Sequence, residues 1–290
     1  MSDTFRPRVV LIHDQTRADL RDAAEKLRPI VERHMDVVGV HTDLSNEAEL
    51  ESTDAQMVVA MGGDGTILRT ARLMGYNQLP VVGVNLGKLG FLAAVAPERL
   101  EVALDKIVAD NFRTVDHLMF TCELYPAGAR EQTPPSEKRL GLNELAIHAG
   151  EPFRMLSAQL YVDGDLVATY ECDGLILSTP IGSTAHNLAA GGPILRKSLQ
   201  AFVISPLNPH TLTNRPVVDT ADRIYEVVVP APNAGTTLMV DGQMMAPLAP
   251  GDRVRFRRSA ASFQMVEVSG QSYYRTLREK LGWQRRPRET

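Results

Sequence analysis

Cysteine is scarce: the 290 residues hold two, Cys122 and Cys172, and they form no CxxC pair. A disulfide framework or a zinc ribbon finds no support, and a reducing compartment, the cytoplasm, is the expected location. No apolar run approaches the roughly 20 residues that span a bilayer. The opening MSDTFRPRVVLIHD lacks the charged-then-apolar order of a signal peptide. No membrane association is therefore expected. The formal net charge is −4, which leaves no global basic surplus for nucleic acid. The richest basic stretch, RVRFRR (Arg253–Arg258), alternates as a strand with one solvated face, and QRRPRET reads as a loose terminus. Internal repeats and low-complexity segments are missing too. So are three familiar motifs. No Walker A run is present, G-x-G-x-x-G fails at Leu68, and G-x-S-x-G fails because Ser183 follows Gly182 directly.

What is present is an ordinary globular composition, 44% hydrophobic and 23% charged, in a chain long enough for one large domain or two. The first third alternates strand and helix signals. PRVVLIHD, MDVVGVHT, MVVAMG and LPVVGVNLG read as strands. RADLRDAAEKLRPIVERH, TILRTARLMG and APERLEVALDKIVAD read as helices, the last with Pro97 in its first turn. This order predicts an α/β domain, a parallel sheet flanked by helices. Around residue 112 the pattern becomes β-rich. The polar GAREQTPPSEKR reads as a hairpin loop, and Asp163-Gly164 between alternating apolar residues as a tight hairpin turn. An all-β second domain is expected, with a further helix at YYRTLREKLGW.

Three stretches carry chemistry. MGGDGT (Met61–Thr66) joins a strand to a helix through glycines, with Asp64 between them. Such a turn lets a ligand come close to the backbone, and the helix N-terminus favours anions. Asp64 is equally readable as a helix cap. LNELAIH sets Asn143 beside Glu144 at a strand start, a pair able to read sugar hydroxyls and a purine edge, although most such pairs are solvated loop residues. CDGLILSTPIGSTAHNLAAGGPI (Cys172–Ile194) runs from a strand through a hydroxyl-lined turn into a short helix near Thr184. It suits a polyphosphate or a ribose, or simple capping by Ser183 or Thr184.

Taken in order, and with GVNLGKLGFLA, NPHTLTNRPVV, VDGQ and YYRTLREKLGW, these stretches resemble the bacterial NAD kinases over nearly the whole chain. Those enzymes phosphorylate the 2′-hydroxyl of the adenosine ribose of NAD, giving NADP. The resemblance implies an α/β domain over residues 1–112, rejoined by a returning segment 273–290, and a β-sandwich-like domain over 113–272. It implies Asp64 as the base for the acceptor hydroxyl, and Gly62 and Gly63 in the loop that approaches phosphates. It places Gly65, Arg69, Asn143, Glu144, Arg154 and Asp173 against the dinucleotide. The same holds for the run Thr184, Ala185, His186, Asn187, Leu188 and Ala189, and for Gln243. It implies ATP or polyphosphate as donor, a divalent metal such as magnesium carried on that donor with no protein metal cage, and a homodimer or homotetramer. Three positions depart from the family pattern. Ile181 replaces a small polar residue, His186 replaces a tyrosine that packs on the dinucleotide, and Glu171 stands where many relatives are basic. Two other readings remain: another GGDG-loop kinase acting on a lipid or sugar phosphate, and a non-catalytic dinucleotide-binding protein.

Overall fold

The computed structural model describes residues 6–44, 54–87, 90–93, 95–130, 132–152, 154–211, 213–268 and 273–283. Lys88 and Leu89 of the GKLG turn and the QRRPRET tail lie outside the described residues. Two compact units emerge. The first takes the described residues up to Asp116 and from Phe263 onward, and the second takes His117–Ser262.

The first unit alternates as its sequence predicts. Its elements are β1 (Arg8–His13), α1 (Ala18–His34), β2 (Asp36–His41), β3 (Met57–Gly62), α2 (Asp64–Leu73), β4 (Val81–Asn85) and α3 (Leu100–Val108), before β5 (Phe112–Tyr125) leaves it. The strands stand in the order β2-β1-β3-β4, all parallel. β3 and β4 are buried along their whole length, which explains their unbroken apolar runs. Because side chains alternate across a strand, Val9, Leu11, Val59 and Val82 face one way. They meet Ala24 and Val31 of α1 and Leu100, Leu104 and Ile107 of α3. α2 packs on the opposite face, where Ile67 approaches Gly83. Pro97 begins a short 3-10 turn rather than the helix itself, which starts at Leu100.

The second unit is antiparallel throughout. It contains β6 (Glu137–Gly141), β7 (Glu144–His148), β8 (Leu156–Val162), β9 (Asp165–Cys172), β10 (Gly174–Ser178), α4 (His186–Ala189), β11 (Ala201–Leu207), β12 (Val217–Thr220), β13 (Ile224–Val228), β14 (Thr237–Val240), β15 (Gln243–Pro247) and most of β16 (Arg253–Val268). The end of β16 and the helix α5 (Tyr273–Lys280) belong to the first unit, where Met265 lies beside Val81. The joins at 116/117 and 262/263 therefore fall inside β5 and β16. The sequence reading set them at 112/113 and 272/273. No change of composition marks the middle of a continuous strand.

One sheet of the second unit is β12-β11-β10-β7-β14-β15. The other joins β9, β8, β13 and β16, with β5 and β6 alongside. Between them lies an apolar core with Leu145, Ile147, Leu175 and Leu177 from one sheet and Phe120, Tyr225 and Phe256 from the other. Phe256 sits at its centre, 4.5 Å between ring centroids from both Phe120 and Phe202. Asp163 and Gly164 both take positive φ, 51° and 92°, the type I′ geometry that an Asp-Gly hairpin requires. Arg253, Arg255 and Arg257 of RVRFRR share one face of β16 but are not simply solvated: Arg255 pairs with Glu226 at 3.0 Å and Arg257 with Glu123 at 2.9 Å.

Phe256→Ala removes a fully buried ring from this core and should cost about 3–5 kcal/mol. Urea unfolding followed by a probe in the second unit measures it, and a loss below about 1 kcal/mol would contradict the packing described.

Candidate active site

The Asp64 loop is built by the change from strand to helix. β3 ends at Gly62, whose carbonyl accepts the Leu86 N–H at 3.1 Å. Gly63 follows in extended conformation, and its carbonyl starts α2 by accepting the N–H groups of Thr66 and Ile67. Asp64 is the first residue of the helix, one place past the cap position, which Gly63 holds. Its oxygens turn to another segment. Oδ2 accepts the N–H of Phe91 at 2.7 Å, while Oδ1 accepts those of Leu92 and Ala93 at 2.9 and 3.2 Å. The capping interpretation of Asp64 is thus overturned. Gly90 makes this contact possible, since a Cβ there would lie 2.0 Å from Asp64 Oδ1. Gly63 and Gly65 are different: a Cβ on either would meet nothing within 4 Å, so the backbone is open on that side. One turn along α2, Arg69 donates to Asp14 at 2.9 Å. The Thr16 hydroxyl, then its backbone N–H and Arg69, hold the Asp14 carboxyl below its usual range against the effect of burial.

In the second unit the other motifs converge on β7. Glu144, Ala146 and His148 alternate away from the core-facing Leu145 and Ile147. The turn after β10 folds back along this face. Asn143 offers its carbonyl to the Thr179 N–H at 2.9 Å, and a Cβ on Gly182 would lie 2.1 Å from that oxygen. Thr179 Oγ1 donates to the Leu142 carbonyl at 2.6 Å. Farther on, the His186 ring stacks on His148 with centroids 5.3 Å apart. Burial, then the neighbouring His186, lowers the pKa of His148. Ser183 and Thr184 do not cap α4, because their hydroxyls donate back to the carbonyls of Pro180 and Ile181.

The residue that sequence reasoning missed is Asp241. With Gly242 it forms the positive-φ turn between β14 and β15. Its carboxylate accepts the backbone N–H groups of Leu142, Asn143 and Glu144 at 2.9, 2.7 and 3.2 Å. The signal was the Asp-Gly pair inside VDGQ, which has the same turn chemistry as Asp163-Gly164. Asn143 and Glu144 are buried, and Asn143 Oδ1 and Glu144 Oε2 have no hydrogen-bond partner among the described residues. Burial, then the charge of Asp241, pushes the Glu144 carboxyl up to about 8.

The remaining expected positions differ in accessibility. Thr184, Ala185, Leu188 and Gln243 are half-buried and Ala189 is exposed. Asp173 is exposed beside the His148 end of β7 and accepts from Asn208 Nδ2 at 3.0 Å. Arg154 is exposed, with its carbonyl taking Asn233 Nδ2 at 2.7 Å. Asn187 is not on the surface at all. It is fully buried, donates to the Ser183 and Pro193 carbonyls and accepts from Ser205 Oγ at 2.7 Å, so its amide anchors α4. Glu171 is exposed on β9. Among the described residues no three His, Cys, Asp or Glu side chains converge as a metal site.

Comparison with known proteins places this arrangement. Residues 9–112 match the family model of the ATP-NAD kinase N-terminal domain, and residues 142–268 that of the ATP-NAD kinase C-terminal domain. The chain belongs to the NAD kinase family. It is 46% identical over 277 residues to the NAD kinase of Rhodopirellula baltica, covering 96% of this chain and 87% of that one. It is 36% identical to that of Geotalea daltonii, covering 90% and 89%. An NAD kinase from Archaeoglobus fulgidus, solved in complex with ATP, superposes with a TM-score of 0.70 at 27% identity, covering 95% of this chain and 98% of that one. Yeast NADH kinase, complexed with NADH, shares the fold with a TM-score of 0.83 at 22% identity, covering 99% and 91%. His186 has a partner inside the fold, His148.

A carboxyl raised on folding binds its proton more tightly in the folded chain, so stability falls as pH rises from its ordinary range to about 8. Glu144→Gln removes this slope. The ligand-free variant should gain on the wild type between about pH 5 and pH 9 in thermal melts, and parallel profiles would contradict the burial argument.

Proposed function

We propose that this protein is an NAD kinase that transfers the terminal phosphoryl group of ATP to the 2′-hydroxyl of the adenosine ribose of NAD, producing NADP. The observation that carries this reading is the Asp64 loop, a carboxylate fixed between two glycines with open space above them. A carboxylate has about four acceptor positions. Among the described residues Oδ1 takes two N–H groups and Oδ2 takes one, which leaves Oδ2 a position for the hydroxyl whose proton must leave. The same three bonds fix the side chain's direction, so little orientation is lost when the hydroxyl arrives. The open backbone at Gly63 and Gly65, at the start of α2, suits the donor's phosphates. Along β7, Glu144 and His148 are about 13 Å apart, a span that suits an extended dinucleotide rather than a single sugar.

A divalent metal such as magnesium, carried on the donor phosphates and not in a protein cage, would supply charge neutralisation during transfer. Polyphosphate is a second candidate donor. The protein works in the cytoplasm as a homodimer or homotetramer in this reading. A lipid or sugar-phosphate kinase is not favoured, since both domain families matched are those of NAD kinases. A non-catalytic dinucleotide-binding protein is disfavoured by the oriented Asp64 carboxylate.

Purified protein given NAD, magnesium and either ATP or polyphosphate should form NADP, read by an NADP-specific dehydrogenase. No NADP from either donor would overturn the assignment. Asp64→Asn should lower kcat by about 10²–10⁴-fold with little change in NAD affinity. Turnover within about threefold of wild type would remove Asp64 from the proton-accepting role.

A further inference from the structure

The Asn143–Glu144 turn is satisfied in an uneven way. Its three successive N–H groups all go to Asp241. Its two side-chain oxygens, Asn143 Oδ1 and Glu144 Oε2, are buried and receive nothing from the described residues. A buried acceptor without a donor is costly, and the donors best placed to relieve it are already used. Asp241 also returns its own N–H to the Glu144 carbonyl at 2.9 Å, so the two turns are locked together.

We propose that Asp241 is a positioning residue for the dinucleotide: by taking the N–H groups of Leu142, Asn143 and Glu144 it presents Asn143 Oδ1 and Glu144 Oε2, bare, to a ligand's hydroxyl groups, and the ligand enters with release of one proton from Glu144. This rests on the NAD kinase reading for the identity of the ligand. The proton follows from the geometry. Asp241 is the charged group that bears on Glu144, and the strand partner of Glu144 on β10, Ser178, is uncharged. Burial first, and then the Asp241 carboxylate beside it, push the Glu144 carboxyl up to about 8, so it is held as a neutral acid near neutral pH. A ribose diol supplies two O–H donors, which a carboxylate accepts more strongly than a carboxylic acid does. Binding then selects the ionised form: the O–H bond of the Glu144 acid breaks, the proton passes to buffer, and the sugar hydroxyl takes its place as donor.

The test is calorimetric titration of the full-length protein with NAD from about pH 6.5 to pH 9, in two buffers of different protonation enthalpy. The wild type should release close to one proton near neutral pH and bind about tenfold more tightly at about pH 8.5 than at pH 7. Glu144→Gln should abolish both effects. Asp241→Asn keeps the size of the side chain but removes its charge, so in a variant whose thermal melt matches the wild type the midpoint of the pH profile should fall. No proton release by the wild type, or an unchanged midpoint in Asp241→Asn, overturns the proposal. If Asp241→Asn does not fold, as checked by circular dichroism, the comparison of Glu144→Gln with wild type decides. Proton-coupled NAD binding without NADP formation would sink the kinase assignment and leave this inference standing. NADP formation with pH-independent binding would do the reverse.

Discussion

Successive backbone N–H groups that all point one way, outside any helix or ladder, need an acceptor. Each one left bare in a buried place costs about 1–3 kcal/mol. Each unit meets that demand with one aspartate. Asp64 takes the N–H groups of residues 91–93, and Asp241 takes those of residues 142–144. In both cases the bonds are charge-assisted and fix two loops at once, the one that carries the carboxylate and the one that donates. The consequences differ. In the first unit the anchored group is the one proposed to accept the proton. In the second the anchor stands behind Asn143 and Glu144, whose own side chains are buried.

The two sheets have corresponding supporting roles. The parallel sheet buries β3 and β4 completely, so the loop after β3 starts from a rigid base. The antiparallel sheet faces its core with Leu145 and Ile147 and leaves Glu144 and His148 on the other side, where the turn after β10 and the short α4 lie. α4 is too short to hold itself in place. The buried amide of Asn187, bonded to Ser183, Pro193 and Ser205, does this instead.

Much of this could be read from sequence, and what could not has a common cause. The four apolar runs of the first unit and the Asp163-Gly164 turn depend on neighbours in the chain, and so were legible. The motifs around Asp64, Asn143 and Glu144, and the turn after β10 were likewise recognisable from local residue order. The partners of Asp64 lie 27–29 residues away and those of Asp241 97–99 residues away, distances over which no spacing rule operates. The same limit applies to Asn187. In sequence it stands among polar turn residues, and only the fold shows that Ser205, 18 residues on, claims its side chain. β5 and β16 pass through the unit joins unbroken, so no local signal in the chain marks those joins.

The paired imidazoles of His148 and His186 bear on chemical selectivity. A phenol ring is larger than an imidazole, stays neutral throughout the physiological range and offers a single hydroxyl at its tip. Two stacked imidazoles offer ring nitrogens along an edge, and burial together with the neighbouring ring lowers the pKa of His148. A small molecule shaped to lie on the tyrosine of other family members would find less area here and a different set of donors and acceptors. A molecule carrying a carbonyl or a metal-seeking group opposite that edge would discriminate in the other direction. The stacked pair gives an inhibitor a surface that a single phenol ring would not offer.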